Sequence, residues 1–287
     1  MRTILVLTDF SIAAKHAADS SLVIARYLNA SILLFNSYAV PVINFSEERP
    51  KDYTELKEDS TNGLKMEMER LRKISEDNFK DIHIEYQNSI LPFSDCIYEI
   101  QSTKRILLTV TGKRRRSHNH PFIFGSHLHR TMAASASPVL ICTTNTINLL
   151  NVKVNFASDF DKEDIRFVKC IAKHCHRLQG HLLLSHVSTP VILVPDFRED
   201  EIVSNFLSKV SALEYNNIRI EPLLSFDAVA EINLLNKEAN VDLVALVYRK
   251  HNMIWPVFNR RKSHQFVKKQ AFPLLIIPEN YKGFAGY

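Results

Sequence analysis

Glycine is scarce in this chain: 6 of 287 residues, where average usage near 7% would give roughly 20. That excludes collagen-like repeats and glycine-rich linkers, and it makes each remaining glycine worth explaining. Cysteine is also sparse, with only Cys96, Cys142, Cys170 and Cys175. Four in a chain of this length build no disulfide scaffold and point to a reducing compartment. No apolar run approaches the ~18–20 residues of a membrane span. The run Ile4 to Leu7 stops at Thr8-Asp9, too short for a secretion signal. A cytoplasmic location is expected, with no membrane partner. Neither sign of charge dominates: 36 Lys+Arg face 31 Asp+Glu, a net +5. Such a balance permits an anionic ligand without demanding nucleic acid, which is not an expected partner.

What is present is ordinary globular material, 46% hydrophobic and 23% charged, in a length suited to two domains. The sequence repeats itself. Ile4-Leu5-Val6-Leu7-Thr8-Asp9-Phe10 returns 150 residues later as Val154-Asn155-Phe156-Ala157-Ser158-Asp159-Phe160. Ala18, Leu22, Ala25 and Leu28, at helical spacing, return as Val168, Ala172, Cys175 and Leu178. Pro138-Val139-Leu140-Ile141 returns as Pro273-Leu274-Leu275-Ile276, now at a spacing of 135. The second copy is therefore about 15 residues shorter in its middle, and the charged stretch 47–60 has no counterpart. Tandem domains over 1–146 and 151–280 follow, with a boundary near 144–151.

Within each half, apolar strands alternate with helical patterns; residues 64–78 place Leu64, Met68, Leu71 and Ile74 on one helical face. Ile106 to Val110 is a nearly continuous apolar run, as a strand buried on both faces requires. This alternation predicts an α/β fold, an open parallel sheet with helices on both faces. Ligands bind such sheets beyond the carboxyl ends of the strands, which selects the turns after Leu7 and Val110.

The second of those turns opens the segment richest in chemistry. Thr111-Gly112-Lys113-Arg114-Arg115-Arg116 is followed by a loop to Gly125-Ser126-His127. Glycines admit close backbone approach, and a helix starting near Ser126 would offer free N–H groups to an anion. The same residues also read as a plain strand-to-helix loop with a turn glycine and an N-cap serine.

The spacing from Gly112 through Arg115 to Gly125-Ser126 resembles the Gly-x2-Gly-x9-Gly-(Ser/Thr) nucleotide loop of universal stress proteins. The opening strand into Thr-Asp-Phe-Ser and the closing Ser-Pro-Val-Leu agree with it, and the likeness extends over both halves. It implies two tandem Rossmann-like (adenine nucleotide α hydrolase-like) domains, each an open five-stranded parallel sheet. It implies ATP or AMP in the first half, with Mg accompanying ATP. Leu7, Thr8 and Asp9 would meet adenine and ribose, and Ser37 would line the base pocket. Gly112, Gly125 and Ser126 would hold phosphates, with Thr111 and His127 beside them. Arg115 departs from the motif, replacing its middle glycine; its Cβ would close the phosphate nest, or its guanidinium would supply the missing charge. The likeness also implies an internal pseudo-dimer through the closing strands 138–144 and 273–279, and chains that pair into homodimers.

Superposing the fourth strands at a spacing of 137 puts Arg249 on Gly112, Asn252 on Arg115, Lys262 on Gly125 and Ser263 on Ser126. Every loop glycine is lost, and Tyr248 and Arg249 fill space at the strand exit. No nucleotide is expected in the second half, where Asp159 remains as a turn and helix-cap residue.

Other signals are weaker. The basic runs 113–116, 249–250 and 260–262 fit a polyanion surface or solvated loops, and no interleaved aromatics mark a single-strand platform. Cys170, His174 and Cys175 lack a second ligand pair at finger spacing, which favours core and surface roles over metal. His118, His120, His127 and His129 cluster in the loop, where protonated rings would contact phosphate; an exposed loop accounts for them as well. No nucleophile elbow, Walker lysine or Ser/His/Asp set is present, so a non-enzymatic protein is expected, with slow ATP hydrolysis and a pure scaffold as alternatives.

Overall fold

The computed structural model describes residues 1–38, 53–76, 81–91, 93–113, 135–143, 147–188, 197–213, 215–249 and 272–282. The chain divides into two units, Met1–Ile147 and Asn148–Tyr287.

The first unit carries five parallel strands: β1 (Arg2–Leu7), β2 (Ser31–Ser37), β3 (Ile84–Ser89), β4 (Arg105–Gly112) and β5 (Val139–Cys142), in the order β3-β2-β1-β4-β5. The chain winds outward from β1 in both directions, so the switch point lies between the carboxyl ends of β1 and β4. Side chains alternate across the sheet. Leu5, Leu7, Leu33 and Phe35 form one apolar cluster with Cys96 and Ile100 of α3 (Phe93–Thr103). Ile4, Val6, Ile32 and Leu34 are fully buried on the opposite face. That face carries α1 (Ile12–Leu28) and α2 (Tyr53–Ser75).

Helix α1 starts where it does because Ser11 Oγ accepts from the Ala14 N–H at 3.2 Å. It stops at Asn29, which takes a left-handed φ of 48° and returns its N–H to the last turn. Helix α2 starts earlier than the apolar spacing marks and corrects the placing of Ile74. Its first turns are built from the charged stretch that has no counterpart, and its buried stripe is Ser60, Leu64, Glu67, Leu71 and Ser75. Ile74 faces solvent. The buried Glu67 carboxylate accepts two bonds from Arg70, at 2.9 and 2.7 Å, which is why it tolerates the interior.

The second unit repeats the plan with β6 (Lys153–Ala157), β7 (His181–Ser188), β8 (Ile218–Leu224), β9 (Leu243–Tyr248) and β10 (Leu274–Pro278), ordered β8-β7-β6-β9-β10 and all parallel. One face packs Val154, Phe156, Leu182 and Leu184 under α4 (Asp164–Arg177) and α5 (Phe197–Ser211). On the other face, α6 (Ala228–Glu238) meets polar residues: Asn155 Nδ2 donates to Asn236 Oδ1 at 2.6 Å, and Ser185 Oγ donates to Asn155 Oδ1 at 2.8 Å.

The pairing register corrects the alignment of the fourth strands. Val110 lies opposite Val6 and Leu140, and Ala245 lies opposite Phe156 and Leu275. The spacing is therefore 135, and Gly112 corresponds to Val247, not Arg249. The difference matters because Gly112 is held tightly. A Cβ there would stand 2.3 Å from the carbonyl carbon of Ala13 and 2.6 Å from Ala14 N. Only glycine lets the β4 exit lie against the first turn of α1. Gly112→Ala is expected to cost about 1–3 kcal/mol in denaturant unfolding, because the obstructing atoms are backbone; wild-type stability would show that the turn can yield.

Candidate functional site

The turn after β1 stands at the switch point, and a set of hydrogen bonds fixes it. The Thr8 N–H donates to Phe35 O at 2.9 Å. The Thr8 carbonyl accepts from Asn36 Nδ2 at 2.7 Å, and the Thr8 hydroxyl accepts from Phe10 N at 3.0 Å. Phe10 takes a φ of 62°, a conformation L residues adopt only when the surroundings enforce it. Its ring lies on α2 at Gly63, where a Cβ would come within 2.6 Å of it. Asp9 Oδ1 accepts from Ser11 N at 3.1 Å, fixing the carboxylate at the carboxyl end of β1. Behind the turn, Asn36 Oδ1 accepts from Ser60 Oγ at 2.7 Å, and Asn88 Nδ2 donates to Thr61 Oγ1 at 2.9 Å.

Of the expected site residues, Leu7 and Thr111 face each other in register across β1 and β4, both buried, with Gly112 next in line. Asp9 and Ser37 are the partly exposed ones, and Ser37 Oγ donates to Leu91 O at 2.7 Å. Arg115, Gly125, Ser126 and His127 lie outside the described residues, as do Arg114, Arg116 and the other loop histidines. Burial holds the neighbouring Lys113 ammonium below the usual lysine range. Sequence reasoning missed Asn36, Ser60 and Asn88, which brace the turn. The available signal was a polar side chain closing the otherwise apolar run Ile32 to Phe35.

A profile of the universal stress protein family matches residues 1–143. The first unit belongs to the universal stress protein family. Among solved structures the chain is similar to a universal stress protein from Archaeoglobus fulgidus DSM 4304, with 14% identity, 96% of this chain and 98% of that one covered, and a TM-score of 0.71. It is also similar to a protein from Pseudomonas aeruginosa UCBPP-PA14 assigned to the same family, with 13% identity, 98% and 94% coverage, and a TM-score of 0.59. At these identities the likeness is one of fold. No curated protein sequence matches the chain.

The second unit builds the same turn with different side chains. Ser158 N donates to Ser185 O at 3.0 Å, Phe160 N donates to Ser158 Oγ at 2.9 Å, and Phe160 has a φ of 57°. His186, standing where the first unit has Asn36, donates from Nδ1 to Ser158 O at 2.9 Å. Asp159 Oδ1 accepts from Asp161 N at 3.3 Å, so it is a turn residue as expected. It is not a helix cap: α4 begins only at Asp164, two residues later than the α1 start would place it, and its N-cap position is Glu163, whose side chain makes no capping bond.

Arg249 fills the room this leaves. Its Nη1 donates to Asp159 at 3.2 and 3.4 Å, its Nη2 donates to Asp164 Oδ1, and Asp161 lies 4.0 Å away. Ser158 Oγ donates to Asp164 Oδ2 at 2.7 Å. Asp164 is 1% exposed. Burial, with Asp159 adding to it, pushes its carboxyl up to about 7 against the opposing pull of Arg249 and Ser158.

Cys170 and Cys175 are buried, Cys175 within the apolar core, and burial pushes both thiols up to about 12. Among the described residues no His/Cys/Asp/Glu group could hold a metal ion, and no helix is long and apolar enough to cross a membrane.

The raised Asp164 carboxyl has a defined effect on stability. The folded state holds a proton that the unfolded chain releases near pH 4, so this contribution is full below about pH 4 and lost as pH rises through about 7. The melting temperature should therefore fall over that window by more in wild type than in Asp164→Asn; parallel profiles would contradict the assignment.

Proposed function

We propose that this stress-response protein of the universal stress family holds one adenine nucleotide, ATP or AMP, in its first unit and none in its second. The supporting observation is the Asp9 turn, a partly exposed carboxylate fixed at the switch point by the hydrogen bonds of Thr8, Ser11 and Asn36. Preorganisation of this kind favours binding because the site loses little freedom when occupied. A carboxylate there suits the paired hydroxyls of a ribose, to which it can only accept.

In this reading Leu7, Thr8 and Ser37 border the base side. Thr111, Gly112, Gly125, Ser126 and His127 belong to the phosphate side, where Arg115 adds charge and Mg accompanies ATP. In this reading the site binds and does not react, since Asp9 accepts from its own helix start and is placed to bind, not to attack. The protein works in the cytoplasm by responding to nucleotide, not by turning it over.

The test is calorimetric titration of ATP and AMP into the full chain after bound nucleotide has been stripped away. One site per chain is expected, lost in Gly125→Asp and weakened about tenfold in Asp9→Asn through one charge-assisted hydrogen bond. Two sites would contradict the account of the second unit; no site would contradict that of the first. Phosphate release at the background rate is expected with ATP.

A further inference from the structure

The cluster around Arg249 is the strongest feature that the nucleotide reading does not use. It combines four things: a turn built like the one that presents Asp9, a helix that starts late, a valine in place of the tight glycine, and a guanidinium in the space between. Arg249 is 13% exposed by side chain, and its contacts with Asp159 and Asp164 span 90 and 85 residues of sequence. No local preference of the chain places it there. Asp164 is buried and already bonded through its other oxygen to Ser158, so the guanidinium meets a carboxylate held in position before it arrives.

We propose that Arg249 is a built-in ligand of the second unit: its guanidinium occupies the position beside Asp159 that corresponds to the nucleotide position beside Asp9, and so makes the tandem protein single-sited. The inference rests on the nucleotide reading of the first unit for that correspondence. The chemistry fits an occupant, not a surface ion pair. A planar fork with donors on two nitrogens matches carboxylates arriving from two directions, Asp159 from the β6 turn and Asp164 from the first turn of α4. An ammonium, a compact point charge, would satisfy one of them well and not both. The occupant also neutralises the carboxylate that a ribose would need. A free ligand would have to displace a tethered guanidinium whose effective concentration is set by one residue of chain beyond β9.

If Arg249 is an occupant, removing it leaves a cavity that takes the same group from solution. Above pH 7, where Asp164 is ionised, Arg249→Ala in the full chain should melt lower by about 10 °C, since a buried carboxylate loses its partner. Millimolar guanidinium chloride should recover at least half of that loss, while equal sodium chloride or urea should recover none. Wild type and an Asp164→Asn/Arg249→Ala double variant should show no such recovery. Arg249→Lys keeps the charge without the fork; it should melt between wild type and Arg249→Ala and gain less from guanidinium. It also serves as the test if the alanine variant does not fold. An Arg249→Ala chain as stable as wild type, or a loss that guanidinium restores no better than salt, would overturn the proposal. Nucleotide stoichiometry of the same variants reports separately on the first unit: an unchanged single site is expected, and a wild-type chain that binds nothing would remove the correspondence while leaving the guanidinium result to be judged by itself.

Discussion

Both halves of this molecule depend on one constraint: the chain must leave the first strand of each sheet through a tight turn before it enters a helix. A hydroxyl residue satisfies it in both copies. Thr8 and Ser158 each use the backbone N–H to extend the sheet, the carbonyl to receive a side chain from the next strand, and the hydroxyl to cap the following N–H. That leaves the following phenylalanine in a left-handed conformation and delivers an aspartate to the carboxyl edge of the sheet. The arrangement costs conformational strain at Phe10 and Phe160, offset by ring burial against Gly63 in one unit and by stacking on His186 and Phe206 in the other.

From this shared turn the copies diverge through packing. In the first, Ser11 caps α1 at once, and Gly112 brings the β4 exit against the helix backbone, so the turn and the neighbouring strand end converge on one edge. In the second, the helix start retreats and Val247 replaces the glycine, so the space between strand exit and helix is filled by Arg249. Filling the second edge with Arg249 needs no change of fold. The family match covers the first unit, while the likeness in fold to the Archaeoglobus protein runs through 96% of the chain.

Much of this was legible in the sequence, for identifiable reasons. Strands buried on both faces read as continuous apolar runs, and the repeat at 150 residues exposed the turn, because its hydroxyl-Asp-Phe pattern recurs in place. The same double burial hid the register. Continuous apolar strands carry no alternation to fix pairing, and β4 shifts register against β1 after Thr3, so the sequence alignment of the fourth strands is two residues out of register. The buried face of α2 was misread because three of its five buried positions are Ser60, Glu67 and Ser75, whose cost is met by hydrogen bonds that periodicity does not see. The Arg249 contacts were invisible for the simplest reason: they join residues 85 and 90 positions apart. Four of the ten expected site residues, Arg115, Gly125, Ser126 and His127, lie beyond the described structure, and their roles rest on motif spacing.

The central claim is that one edge of this tandem protein presents its aspartate to a ligand while the other has already spent its own on Arg249. A crystal structure of the full chain grown with AMP tests it most directly. The account predicts one nucleotide per chain, at the carboxyl ends of β1 and β4, with Arg249 still joined to Asp159 and Asp164. Nucleotide at the ends of β6 and β9 with Arg249 displaced, or an AMP-free first unit at saturating concentration, would contradict it.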